Sequence, residues 1–184
     1  GLGNIGPVLP EGSNPDPRVA SRFIVETVKA HPHEVTLIAV GPMTNLALAL
    51  DEDPAVASLV KQVIVMGGAF GFGGVMGNVT PAAEANIHGD AHAADRVFGA
   101  GWPLVIVGLD VTQRTVMSVE YLAHLRDAAG EAGRFVWDVS RHYEAFHRAS
   151  EQVAGIYVHD ASAVAYLLAP QLFQTRNGPV RVLT

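Results

Sequence analysis

The chain has 184 residues, 49% of them hydrophobic and 16% charged, with a formal net charge of −6 and no cysteine. That length can bury a sizeable core in one domain, and the acidic balance argues against a phosphate backbone as partner. The absence of cysteine excludes disulfides and thiolate metal sites while leaving the compartment open, and no apolar run approaches the ~18 residues of a membrane span.

In chain order, residues 1–15 carry four glycines and three prolines and read as loop. Gly1, Gly3 and Gly6 match G-x-G-x-x-G by spacing, but no strand precedes them and Pro7 and Pro10 block a following helix, so the dinucleotide reading is rejected. Asp16 with Pro17 predicts a helix start, and Val19, Phe23, Ile24, Thr27 and Val28 line one face as far as Ala30. Val35–Val40 predicts a buried strand, Thr44-Asn45 head a helix to about Leu50, and Asp53-Pro54 start a short helix to Val60. Val63–Met66 is the central strand. It ends in Gly67-Gly68 and a loop with four more glycines, beyond which stand Asn78, Thr80, Glu84 and Asn86. Such a loop is either a ligand site at the end of a strand or a hairpin whose glycines satisfy positive φ.

Further on, Asp90 caps a helix to Phe98, Leu104–Leu109 forms a third strand, and Ser118 caps a helix to about Ala129. A longer helix runs from about Ala132 to Ala149 with Phe135, Val139, Tyr143 and Phe146 in register. Tyr157–Asp160 leads into a helix over Ala161–Leu168, and Val180–Leu183 reads as a last strand. Apolar strands alternating with helices predict an α/β fold, a mostly parallel, Rossmann-like open sheet covered on both faces. One domain over residues 1–184 is expected, with its chemistry at the carboxyl ends of the strands: Val40-Gly41-Pro42, Met66-Gly67-Gly68 and Asp110-Val111-Thr112.

Taken together, the amino-terminal Gly-Leu-Gly-Asn-Ile-Gly, Thr36–Ala47, Val63–Asn86, Val107–Thr112 and Val158–Leu168 resemble the inosine–uridine-type nucleoside hydrolase family along essentially the whole chain. The resemblance implies calcium-assisted hydrolysis of the N-glycosidic bond of a ribonucleoside, in a cytoplasmic homo-oligomer (dimer or tetramer) serving nucleoside salvage and catabolism. By position, Asp160 resembles a carboxylate ligand of the calcium and Val40 the residue that lends it a backbone carbonyl. Asn78, Glu84 and Asn86 are similar to the ribose-binding set, Met66 to a wall of the sugar pocket, and His159 to the histidine that protonates the departing base. The chemistry is compatible, because calcium takes oxygens and ribose hydroxyls suit amides and carboxylates. Read singly, His159-Asp160 is a helix cap and Glu84 a solvated loop carboxylate.

Two departures from the family pattern stand out. Its aspartate-rich amino-terminal motif, which supplies most calcium carboxylates and the base that activates water, is not in this sequence, and position 1 is Gly, not Met; the expectation is a domain truncated at the front and at the back. Ala85 stands where the family often has an aromatic residue. The competing reading is a non-catalytic fragment or a binding or assembly module. A zinc site on His88 and His92 is disfavoured, since Gly89 intervenes and no zincin glutamate accompanies them.

Overall fold

The computed structural model describes residues 15–183; the expected loop and the glycine triplet at positions 1, 3 and 6 lie outside them. The chain divides into two compact units.

The first is described over residues 16–112 and 159–183 and is built on a parallel sheet of β1 (Thr36–Ala39), β2 (Gln62–Met66) and β3 (Leu104–Val107), in that order. Register pairs Ala39 with Val65 and Met66 with Val107, so the three strands end together. The middle strand is buried end to end from Val63 to Met66, whereas β1, an edge, is only half-buried. Alternation along β2 sends Val63 and Val65 into one core with Val28, Leu46 and Val97, from helices α1 (Ala20–Ala30), α2 (Thr44–Glu52) and α5 (Ala91–Phe98). Ile64 and Met66 face the other way, against Val107, Leu109 and Ala163, the last from α9 (His159–Leu168). The expected α/β sheet with helices on both faces is therefore present.

Local expectations hold where one side chain decides an end. Asp90 accepts a hydrogen bond from the Ala93 N–H as N-cap of α5. The head of α1 differs from the sequence expectation. Asp16 is taken up by the Arg18 side chain, so the helix starts at Ala20 after an uncapped Val19, and Val19 and Phe23 are exposed while Ser21, Val25 and Val28 are buried. Helix α3 (Val56–Leu59) likewise starts after Ala55, whose N–H donates to Asp53. Two one-turn helices were missed: α4 (Ala85–Gly89) and α6 (Leu109–Thr112). The last strand does not form, because the Val182 N–H donates to the Asp95 carboxylate and not to a neighbouring strand.

The second unit, described over Pro15 and Gln113–Val158, holds α7 (Val119–Ala128), α8 (Gly130–Ser150) and an antiparallel ribbon of β4 (Val116–Ser118) and β5 (Gly155–Tyr157). Ser118 caps α7 as expected. On α8 the inward face differs from the aromatic register: Phe135, Tyr143 and Phe146 are exposed, and Gly133, Ser140, Glu144 and His147 are buried. The reason is Gly133, where any side chain would collide with the Leu125 carbonyl of α7. The seam follows the smallest residue, not the largest ones.

Candidate active site at the carboxyl edge of the sheet

The candidate site begins where β2 stops. Met66 is buried on the α9 side of the sheet, and a Cβ at Gly67 would stand 3.3 Å from Glu84 Oε2, so glycine there lets a carboxylate approach the strand end. Glu84 is only 2% exposed and is the N-cap of α4. Its Oε1 accepts from the Asn86 N–H at 2.9 Å; its Oε2 accepts from Gly68 N–H at 2.9 Å and Ile87 N–H at 3.1 Å. The reading as a solvated loop carboxylate therefore fails. A carboxylate offers about four acceptor positions, and with three filled by backbone one remains on Oε1 for a ligand hydroxyl.

Asn86 turns back onto the strand, its side-chain amide donating to the Met66 carbonyl at 3.0 Å and lying 3.3 Å from Met66 Sδ. Asn78 is exposed, and its Oδ1 accepts from the Ala85 N–H at 2.9 Å, beside the start of α4. Met66, Asn78, Glu84 and Asn86 are thus brought together around one short helix. Val40 follows Ala39 and by register lies beside Met66, with its side chain exposed.

His159 and Asp160 open α9. Asp160 and Ala163 are three apart and share a helix face; since Ala163 packs against Met66 and Ile64, that face brings Asp160 toward the same strand ends. Its carboxyl is raised above the usual range by partial burial first and the negative charge of Glu84 second. The negative charge of Glu84 felt at Asp160 is of the kind a cation would relieve. Asp160 and the Val40 carbonyl are oxygens of the kind calcium takes, but among the described residues no three His, Cys, Asp or Glu cluster as a metal site. Since calcium binds about six to eight oxygens, the described set fits it in kind and falls short in number.

Two buried residues belong to the Asp110-Val111-Thr112 group, which the sequence places at a strand end without giving either a separate role. Asp110, 5% exposed, accepts from the Phe70 and Phe72 N–H groups, both at 2.7 Å. With Glu84 on Gly68, every second amide from 68 to 72 is held by a buried carboxylate. Thr112, fully buried, places its hydroxyl 2.7 Å from His159 Nδ1. Their signal was a polar Asp-Val-Thr directly after a buried strand, at the end where open sheets hold ligands.

The family described as inosine-uridine preferring nucleoside hydrolase matches residues 1–184. A probable uridine nucleosidase 1 of Oryza sativa subsp. japonica is 41% identical over 184 residues, all of this chain and 56% of that protein. Among solved structures, a plant nucleoside hydrolase superposes with a TM-score of 0.92 at 37% identity, covering 99% of this chain and 56% of the other. A purine-preferring ribonucleoside hydrolase from Gardnerella vaginalis gives 0.91 at 31% identity, covering 98% and 56%. The chain spans about half the length of the curated relatives it matches. A match from the first residue to the last, on a sheet edge that gathers the residues the resemblance singled out, places this chain in the inosine-uridine preferring nucleoside hydrolase family.

Proposed function

We propose that this chain is the part of a ribonucleoside N-ribohydrolase that holds the sugar and meets the departing base. The observation that carries the reading is Glu84, a buried carboxylate oriented by three backbone N–H groups with acceptor capacity left over, beside Asn86 and Met66. Hydrolysis breaks the bond between ribose C1′ and a base nitrogen, adds the oxygen of water to C1′ and delivers a proton to the base. Glu84, Asn86 and Asn78 bind the ribose hydroxyls, and Met66 walls the sugar pocket. As C1′ becomes oxocarbenium-like, the fixed negative charge of Glu84 is favourable to it. His159 protonates the leaving base.

Asp160 and the Val40 carbonyl are the residues that would hold calcium. A bound calcium supplies an anchor for the vicinal hydroxyls and an acidified water. The same reading carries a cytoplasmic homo-oligomer, dimer or tetramer, working in nucleoside salvage or catabolism. Relatives bear the name uridine nucleosidase, so uridine is the first substrate to assay, followed by inosine. The assay measures reducing-sugar release by a protein of the relatives' full length, with calcium and after chelation. Release that chelation stops is expected; no release from any common nucleoside by folded protein sinks the reading.

A second reading, that residues 1–184 alone form a non-catalytic binding module, is favoured by the lack of a metal-capable cluster among the described residues. Calorimetric titration of this chain with calcium and a nucleoside separates the two: micromolar calcium binding with base release excludes the module.

A further inference from the structure

Thr112 ends α6, the single turn that follows β3, and its N–H closes that turn on the Gly108 carbonyl at 3.1 Å. The residue is completely buried. A β-branched side chain has few χ1 choices, so once the turn places the Cα, the hydroxyl has little freedom. That hydroxyl lies 2.7 Å from His159 Nδ1, 47 residues away in sequence. Helix α9, which His159 opens, packs through buried Ala163 against Ile64 and Met66. The contact at Nδ1 thus joins two elements of the same unit, α6 and α9.

We propose that Thr112 is a positioning residue for His159, whose Nδ1 it holds so that Nε2 is the nitrogen presented to the departing base. The inference rests on the reading of His159 as proton donor. In the transfer the Nε2–H bond breaks and an N–H bond forms on the base, whose nitrogen keeps the electron pair of the broken C1′–N bond. Before transfer both ring nitrogens carry hydrogen and the Thr112 oxygen accepts from Nδ1–H; afterwards Nδ1 still carries its hydrogen and the same contact persists. A hydroxyl can accept or donate by rotating about its C–O bond, and so holds the ring throughout without adding a charge. Were Thr112 only a tie between α6 and the first turn of α9, its removal would loosen both elements and affect every substrate alike.

Thr112→Val keeps the shape and deletes the hydroxyl, and Thr112→Ser restores it. The first readout, at one fixed pH and independent of turnover, is the ring ¹⁵N chemical shifts of the histidines in this chain. Expected is a change confined to His159 in the valine variant, with wild-type shifts in the serine variant. The second is kinetics in the full-length protein. Valine should lower kcat for uridine by up to about 10²-fold, the cost of a misplaced catalytic group, with KM changed less than about twofold. On p-nitrophenyl riboside, whose leaving group needs no proton, the loss should be much smaller, and serine should recover activity on uridine. Unchanged His159 shifts in a folded valine variant overturn the proposal. So does equal loss on both substrates without rescue by serine. Should the wild-type protein cleave no nucleoside while the His159 shifts still respond to valine, the positioning of the ring stands and the hydrolase reading falls.

Discussion

The parallel-sheet unit and the helical unit both bury polar side chains, with different consequences. In the sheet unit Glu84 accepts three backbone N–H groups, Asp110 accepts two, and Thr112 meets His159. In the helical unit His147, 2% exposed, has an Nδ1 with no hydrogen-bond partner among the described residues. Its ring lies among aromatic neighbours instead, 4.0 Å from the Tyr143 centroid and 5.0 Å from that of Tyr157. Burial without a partner forfeits the bonds water would have made. Burial with partners gives each carboxylate one orientation and each loop amide one direction, which is what a site needs. In the sheet unit satisfied polarity coincides with the candidate site; the helical unit also satisfies Glu144, through Arg141 and Arg148, and differs in leaving one buried nitrogen to packing.

The largest test of that contrast is Glu84→Ala. It strands the N–H groups of Gly68, Asn86 and Ile87 at once. At about 1–3 kcal/mol per unsatisfied buried group, the loss is about 3 kcal/mol or more, read from urea denaturation of this chain. Glu84→Gln should fall between, since an amide keeps one acceptor oxygen and turns a donor toward amide hydrogens. A full-length Glu84→Ala protein that still folds should lose kcat as well, because the ribose contact tightens as C1′ gains charge. A stability loss below about 0.5 kcal/mol, the range of ordinary surface substitutions, would show that the three hydrogen bonds do little and return Glu84 to a ligand role only.

How legible this was from sequence depends on the distance over which each element is determined. The apolar run of β2, the Asp90 and Ser118 caps and the ordered family segments are local or linear signals; they predict the sheet, and they single out Met66, Asn78, Glu84 and Asn86, which meet around α4. The ribbon of β4 and β5 escaped notice because each strand has three residues and its pairing spans Val116 to Tyr157. Glu84 was singled out as a sugar ligand, but its capping of α4 depends on amides that only the folded loop brings near. The inward face of α8 was misread because hydrophobic periodicity favours aromatics, while the α7 backbone admits only glycine at position 133.

A smaller effect is expected at His147, where the contrast becomes a pH dependence. Burial lowers its pKa from the ordinary 6.5, opposed in lesser degree by the negative charge of Glu151. The unfolded chain then binds a proton more readily than the folded one, so stability rises with pH up to about 6.5 and falls as pH drops through that range. Thermal melts of the chain between pH 5 and 8 should show this slope, and His147→Phe, which keeps an aromatic ring and cannot protonate, should flatten it. A slope that survives His147→Phe would assign the pH dependence to other groups and leave the orphaned nitrogen without consequence.

The smallest effect is expected where polar groups are paired but exposed. Arg181 grips Asp95 with two hydrogen bonds, at 2.7 and 2.6 Å, and the Val182 N–H adds a third at 3.1 Å. Asp95 is held at a pKa of about 2, chiefly by the Arg181 side chain and then by the Val182 N–H. Three-quarters of the Arg181 side chain is open to water, and such pairs contribute little to global stability. The sign of the pH effect is nevertheless opposite to that of His147: with the folded pKa depressed, the stabilisation is complete above the ordinary 3.8 and disappears as pH falls toward 2. Its consequence is local, since Val182 packs partly against the Val97 core and is tied there by this carboxylate. Arg181→Ala should leave the melting temperature at neutral pH nearly unchanged while accelerating hydrogen exchange at the Val182 amide, and Asp95→Ala should accelerate it further by removing the acceptor itself. A drop in melting temperature for Arg181→Ala as large as that for Glu84→Ala would mean that paired polarity stabilises equally inside and outside, and the distinction between satisfied burial and exposed pairing would fall.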